Sequence, residues 1–211
     1  MKKVVVIGGQ GHAKVCISML KKLSEFCVLG YTALEASDEI LGVPFLGGDD
    51  VLERIKKENP DCGAVIGVGS VKISSNRMDI KKRLDSLGFE CPVIISPTAV
   101  VNEDVKIKEG TIIFDNVVIN TGARIGQCAI INSNSTVEHD CEIGDFTHIA
   151  PGVTLSGNIK VGKNCLIGVG SAVLQNRCIT DECLIAAGSA VVKDCLEPGT
   201  YIGVPARKKK L

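Results

Sequence analysis

Two hydrophobic rhythms divide the chain. Up to about residue 93, short apolar runs alternate with segments whose apolar residues recur at helical spacing. Val4–Ile7 reads as a buried strand, Gly8-Gly9-Gln10-Gly11 as the turn after it, and His12–Leu23 as a helix with Val15, Met19, Leu20 and Leu23 on its apolar face. Cys27–Tyr31 reads as a second strand and Ala64–Val68 as a third. Between them Asp49 or Asp50 can cap a helix running to Glu58, since aspartate accepts from the free backbone N–H groups of a first turn. A further helix from about Ser75 to Leu87 ends at Gly88. This β-α-β-α order predicts a small Rossmann-like parallel sheet covered by helices.

From residue 94 the period becomes six. Ile95, Val101, Ile107 and every sixth residue onward to Val191 are Ile, Val or Leu, 17 positions without a break. Four places after each of the first 16, the residue is Ala, Ser, Thr, Val or Cys at 14 positions, Ile159 and Arg177 being the exceptions. A period of six is neither helical nor that of a hairpin; it is the hexapeptide signature of a parallel β-helix. Each hexad forms one short side, with the large aliphatic residue inside and the small one near the corner. Coils stack about 4.8 Å apart, so each backbone group pairs with the coil above or below. Such a solenoid needs covered ends, which the α/β half and the irregular Glu197–Leu211 segment can supply. The predicted architecture is α/β followed by β, with domains at 1–93 and 94–211.

Composition narrows the function classes. The 211 residues carry 24 Lys+Arg against 24 Asp+Glu, and the lack of a basic excess argues against nucleic acid as a partner. Aromatic residues are 3% of the chain, so branched aliphatic side chains suited to pleated, repetitive packing carry the apolar content. No apolar run approaches the roughly 18 residues of a membrane span. The run Val4–Ile7 behind two lysines is too short for a secretion signal. Ten cysteines are scattered without a C-x-x-C pair, as expected of buried thiols in a reducing, cytoplasmic setting.

Candidate chemistry concentrates at His139, two places after Val137 and therefore outside the solenoid interior. An exposed imidazole can take a proton from an attacking amine or hydroxyl. Asp140 or Glu138 can hold its other nitrogen, fixing the tautomer; a surface histidine without a task is the plain alternative. Gly9-x-Gly11, between strand and helix, can place backbone N–H groups against a phosphate. Lys14 stands at the third glycine position of a dinucleotide fingerprint, so a purely structural turn is the other reading. Zinc hydration chemistry needs about three protein ligands, usually imidazoles, and the solenoid offers only His139 and His148; no metal is expected.

The hexad register, the run from Asn132 through Glu138-His139-Asp140, the Phe146-Thr147-His148 triplet and the terminal Gly203-Val-Pro205-Ala-Arg207 resemble bacterial left-handed β-helix acyltransferases. The segment Ile7-Gly8-Gly9-Gln10-Gly11-His12-Ala-Lys14 is similar to the subgroup that N-acetylates nucleotide-linked 4-amino sugars, and to its sialic-acid O-acetyltransferase relatives. The resemblance implies a left-handed coil, acetyl-CoA as co-substrate, and a homotrimer with active sites between adjacent solenoids. It assigns His139 as general base, Asp140 as its support, and His148, Val169 and Ala187 to acetyl-CoA. Asn132 would meet the sugar, and Gln10, Gly11, His12, Gly69 and Ser70 the nucleotide-sugar. Where many relatives carry acidic residues after the second strand, this chain has Tyr31-Thr32-Ala33. Tyr31 and Thr32 complete the expected substrate contacts, and the departure leaves a free sugar acid as an alternative acceptor. The expected activity is acetyl transfer to the amino group of a UDP-4-amino-sugar type substrate in surface-glycan biosynthesis. O-acetylation of sialic or related nonulosonic acid is the alternative, and a carbonic-anhydrase-like hydrase the remote one.

Overall fold

The computed structural model describes residues 1–35 and 38–209. Two compact units emerge: Met1–Gly69 with Ser75–Pro92, and Ser70–Ser74 with Val93–Leu211. In the first, β1 (Lys2–Ile7), β2 (Phe26–Thr32), β3 (Phe45–Gly47) and β4 (Gly63–Ile66) form one parallel sheet in the order β3-β2-β1-β4. Val4–Val6 and Ala64 are fully buried, so the central strands are apolar throughout, as a sheet covered on both faces requires. β3 is only three residues long and half-buried, too short to show a period.

Helix α1 spans Gly11–Leu20 and buries Ala13, Cys16, Ile17, Met19 and Leu20. Val15 is 49% exposed, contrary to the expected apolar face. The stripe starting at Ala13 continues at i+3, i+4 and i+7, and Val15 falls on the opposite side. The expected aspartate cap is also corrected. Asp49–Val51 is a single 3₁₀ turn before α2 (Leu52–Glu58), with no side-chain cap, and the Asp49 carboxylate instead accepts from Thr32 Oγ1 at 2.6 Å. Helix α3 (Asn76–Ser86) stops just before Gly88, whose φ of +75° releases the chain from the helix.

The second unit is a left-handed parallel β-helix with three faces of stacked two-residue strands. The first face runs from Ile94–Ile95 through Ile130–Ile131 and His148–Ile149, the second through Thr136–Val137, and the third through Glu142–Ile143. Register is 18 residues per coil, as in Ile130↔His148 and Ile131↔Ile149. Ile113, Ile131, Ile149, Ile167 and Ile185 stack inside with no exposure. Fully burying each such side chain contributes about 1.5–3 kcal/mol. Residues pointing outward distinguish the faces. On the first face Ile94, Ile112 and Ile130 are buried, whereas the third carries Lys106, Arg124, Glu142 and Lys160 in solvent.

The corners have a column of their own. Asp104, Gly110, Asn116, Gly122, Cys128, Asn134, Asp140 and their successors to Gly188 all have positive φ, every one Asn, Asp or Gly except Cys128, Phe146 and Glu182. Asn and Asp tolerate the left-handed region better than other side chains. At the carboxyl end, Gly199–Ile202 pairs in parallel with Cys183–Ile185, and Arg207–Lys208 returns antiparallel against it. Lys210 and Leu211, the end of the expected cap, lie outside the described residues. No helix among the described residues is long and apolar enough to cross a membrane.

Candidate active site

His139 and Asp140 occupy the corner between the second and third faces, with side chains 58% and 66% exposed. His139 Nδ1 lies 2.9 Å from Asp140 Oδ2. A carboxylate only accepts, so Nδ1 carries the proton and the Nε2 lone pair remains available as a base. Glu138 does not share this task. Its Oε2 accepts from Asn120 Nδ2 at 2.7 Å, and Asn120 Oδ1 accepts from Asn102 Nδ2 at 2.7 Å, a ladder running one coil at a time down the solenoid.

A second cluster lies along the edge between the first and second faces. His148 is 8% exposed. Its Nδ1 donates to the Ser70 carbonyl at 2.8 Å, which fixes the Nδ1–H tautomer, and its Nε2 accepts from Asn132 Nδ2 at 3.1 Å. The Asn132 amide is oriented by Ser133 N–H, which donates to its Oδ1 at 2.9 Å. Both nitrogens of His148 are thus engaged, and this ring is a fixed contact rather than a base. Val169 and Ala187 follow on the same edge at 18-residue spacing, both exposed, with Gly188 N donating to the Val169 carbonyl at 2.8 Å. The structure therefore brings Asn132, His148, Val169 and Ala187 to one edge of the coil and His139 with Asp140 to the next.

In the α/β unit, Gln10 and Gly11 are exposed at the start of α1. A methyl group on Gly9 would meet Ala33 Cβ at 2.9 Å and Tyr31 at 3.0 Å, so packing explains that glycine; one on Gly11 would meet nothing within 4 Å. His12 and Gly69 are neighbours, since a Cβ on Gly69 would lie 3.2 Å from His12 Cβ. Arg77 of α3 holds the loop leading to Gly69 by donating to the carbonyls of Ile66 and Val68. Tyr31 and Thr32 move from the expected contact set into the packing. Both are fully buried, the Tyr31 hydroxyl donating to the Asp38 carbonyl at 2.5 Å and Thr32 to Asp49. Ser70 contributes its carbonyl to His148, while its hydroxyl donates to Lys72 O at 3.0 Å. Asp49, at the end of the sheet and anchored by a buried threonine, is a polar group the sequence offered only as a helix cap.

An open groove of about 590 Å³ lies on the third face. Its charges are largely paired with one another: Lys160 with Glu142 at 3.3 Å, Lys163 with Asp145 at 3.7 Å, Lys108 with Asp145 at 3.9 Å. It contains none of the candidate catalytic or binding residues. Among the described residues no group of three or more His, Cys, Asp or Glu is placed to hold a metal ion.

A hexapeptide-repeat solenoid that follows a parallel α/β unit along the chain is the architecture of the hexapeptide-repeat acyltransferases. The comparisons agree. Residues 122–157 match the bacterial transferase hexapeptide model (six repeats), and residues 3–80 match the PglD N-terminal domain. PerB from Caulobacter crescentus, solved with CoA and GDP-perosamine, is 33% identical over 100% of this chain and 98% of its own, with a TM-score of 0.92. The acetyltransferase domain of PglB from Neisseria gonorrhoeae FA1090 is 29% identical over 99% of this chain and 100% of that one, with a TM-score of 0.88, and has also been solved with acetyl coenzyme A. WeeI from Acinetobacter baumannii AYE, at 24% identity and a TM-score of 0.86, shares the fold. No curated protein sequence matches the chain. The chain belongs to the bacterial left-handed β-helix acyltransferase family of nucleotide-sugar N-acetyltransferases.

Proposed function

We propose that this enzyme transfers acetyl from acetyl-CoA to the amino group of a nucleotide-linked amino sugar, with His139 as general base. The α/β unit takes the nucleotide through Gln10, Gly11, His12 and Gly69, and the solenoid takes acetyl-CoA along the edge bearing His148, Val169 and Ala187. The observation that carries this reading is the His139 Nδ1 to Asp140 Oδ2 hydrogen bond of 2.9 Å, which leaves Nε2 as the nitrogen able to take a proton. The amine lone pair attacks the thioester carbonyl as Nε2 removes an amine proton. A backbone N–H stabilises the oxyanion. Collapse of the tetrahedral intermediate breaks the carbon–sulfur bond, and the imidazolium returns the proton to the departing CoA thiolate.

Asn132 is assigned to the sugar beside the reacting amine. The separation of the two clusters onto successive edges of the solenoid supports a homotrimer in which one solenoid supplies His139 and its neighbour His148. The free, mostly buried thiols support a reducing, cytoplasmic setting. The nucleotide is the open variable: the UDP type follows from the family pattern, and PerB was solved with a GDP-linked sugar.

The test is thioester consumption with GDP- and UDP-linked 4-amino sugars and with free nonulosonic acids, for the wild type and for His139→Ala. Turnover with a nucleotide-linked amine that falls on the order of 10²- to 10⁴-fold in the variant is the expected result. Acetylation of the free sugar acid alone would move the acceptor to a hydroxyl. Near-normal turnover by His139→Ala would remove the base.

A further inference from the structure

The coil above the dyad carries a gap shaped for the imidazole. Residue 157 stands 18 residues after His139, one full turn of the solenoid, and the two coils are locked in register by Asn158 N donating to the His139 carbonyl at 2.9 Å. A Cβ on Gly157 would lie 2.5 Å from His139 Nε2, 2.6 Å from Cε1 and 3.2 Å from Cδ2. Those three ring atoms are the nearest it would meet. The ring therefore lies across the bare Cα of Gly157, with its unprotonated nitrogen against that surface.

Backbone conformation does not explain this glycine. Its φ is not in the left-handed region, and the equivalent corner positions in other coils are Glu103, Thr121 and Gln175. One coil below, Gly122 stands under Asp140, where a Cβ would lie 2.5 Å from Oδ1. Side chains are thus missing directly above the imidazole and directly below the carboxylate. An imidazole 58% exposed has little other packing to hold its rotamer.

We propose that Gly157 is a positioning residue for His139: its missing side chain provides the shelf on which Nε2 is held at the angle needed for proton abstraction. This rests on the reading of His139 as base. Gly157→Ala should fold with an unchanged Tm, because the added methyl displaces only the ring. Displacement of about 1 Å should lower kcat on the order of 100-fold, with KM for acetyl-CoA within about twofold. With three histidines in the chain, ¹⁵N resonances report the His139 tautomer directly, and Gly157→Ala should lose the wild-type pattern of protonated Nδ1 and free Nε2.

The same substitution made in His139→Ala should change neither residual rate nor Tm, since the ring it displaces is gone. Equal losses in both backgrounds, or wild-type kcat and tautomer in Gly157→Ala, would overturn the proposal. If His139→Ala itself keeps full turnover, the base assignment fails, and the tautomer measurement still decides whether Gly157 sets the ring's position.

Discussion

Asp140 meets two demands that few side chains satisfy together. Its φ is +59°, so the residue must tolerate the left-handed region, and its Oδ2 must reach His139 Nδ1. Asparagine keeps the first property and a neutral form of the second. Asp140→Asn should therefore leave Tm unchanged while lowering kcat on the order of 10²-fold, because the charge that stabilises the forming imidazolium is lost. Asp140→Glu should cost stability as well, about 1 kcal/mol, since glutamate is poorly suited to the left-handed corner. Glu138→Gln, one residue away, should change kcat by no more than a few-fold. The glutamine oxygen can still accept from Asn120, and neither group touches the imidazole. The three variants measured side by side for kcat and Tm separate support of the ring from support of the corner. His139 was legible in sequence because the hexad register places it outside. The choice between Asp140 and Glu138 was not, because Asn120 finds Glu138 only across one coil.

At the scale of the elements, the six-residue period revealed the solenoid from Ile95 to Val191 because every interior slot takes the same kind of side chain. The same sequence also held an 18-residue message in its outward positions: Ile94, Ile112 and Ile130 against Lys106, Arg124 and Glu142. That longer period separates the faces, and it emerges only once three hexads are taken as one coil. The α/β half was less legible, since β3 is three residues long and the Asp49 carboxylate serves Thr32 rather than a helix end. The corner column gives a stability prediction. Glu182 is exposed with φ +56°, where a left-handed L-residue costs about 1–2 kcal/mol and glycine about 0.5–1 kcal/mol of chain entropy. Glu182→Gly should raise stability by about 0.5 kcal/mol in urea unfolding. The cysteines give a pH dependence. Burial pushes the thiols of Cys165 and Cys195 up to about 12 and that of Cys183 up to about 11. A thiol ionises near pH 9 in the unfolded chain but stays neutral when folded, so the unfolded state alone gains from rising pH. Stability should hold below about pH 9 and fall through pH 11 to 12, with a smaller fall in Cys165→Ala.

At the scale of the whole molecule, Asn132 and His139 sit on successive edges of the same coil, with the second face and its Thr136–Val137 strand between them, and His148 lies one coil on, bonded to Asn132. Asn132 and His148 are bonded to each other, and so are His139 and Asp140. On the proposed reading, with His139 as base and His148 at acetyl-CoA, the two edges meet between chains of a homotrimer. In a closed ring each interface is heterologous, one chain offering its His139 edge and the next its His148 edge. Chains carrying His139→Ala and chains carrying His148→Ala should each form weakly active homotrimers. Co-expressed and recovered as mixed trimers, they should regain about a third of wild-type activity, because every ring holding both kinds of chain sets an intact His139 edge against an intact His148 edge at one interface of three. Were each site built within a single chain, every site in the mixture would keep one lesion, and activity would remain at the level of the separate variants. The measurement needs differently tagged chains and tandem purification, so that only mixed assemblies enter the assay.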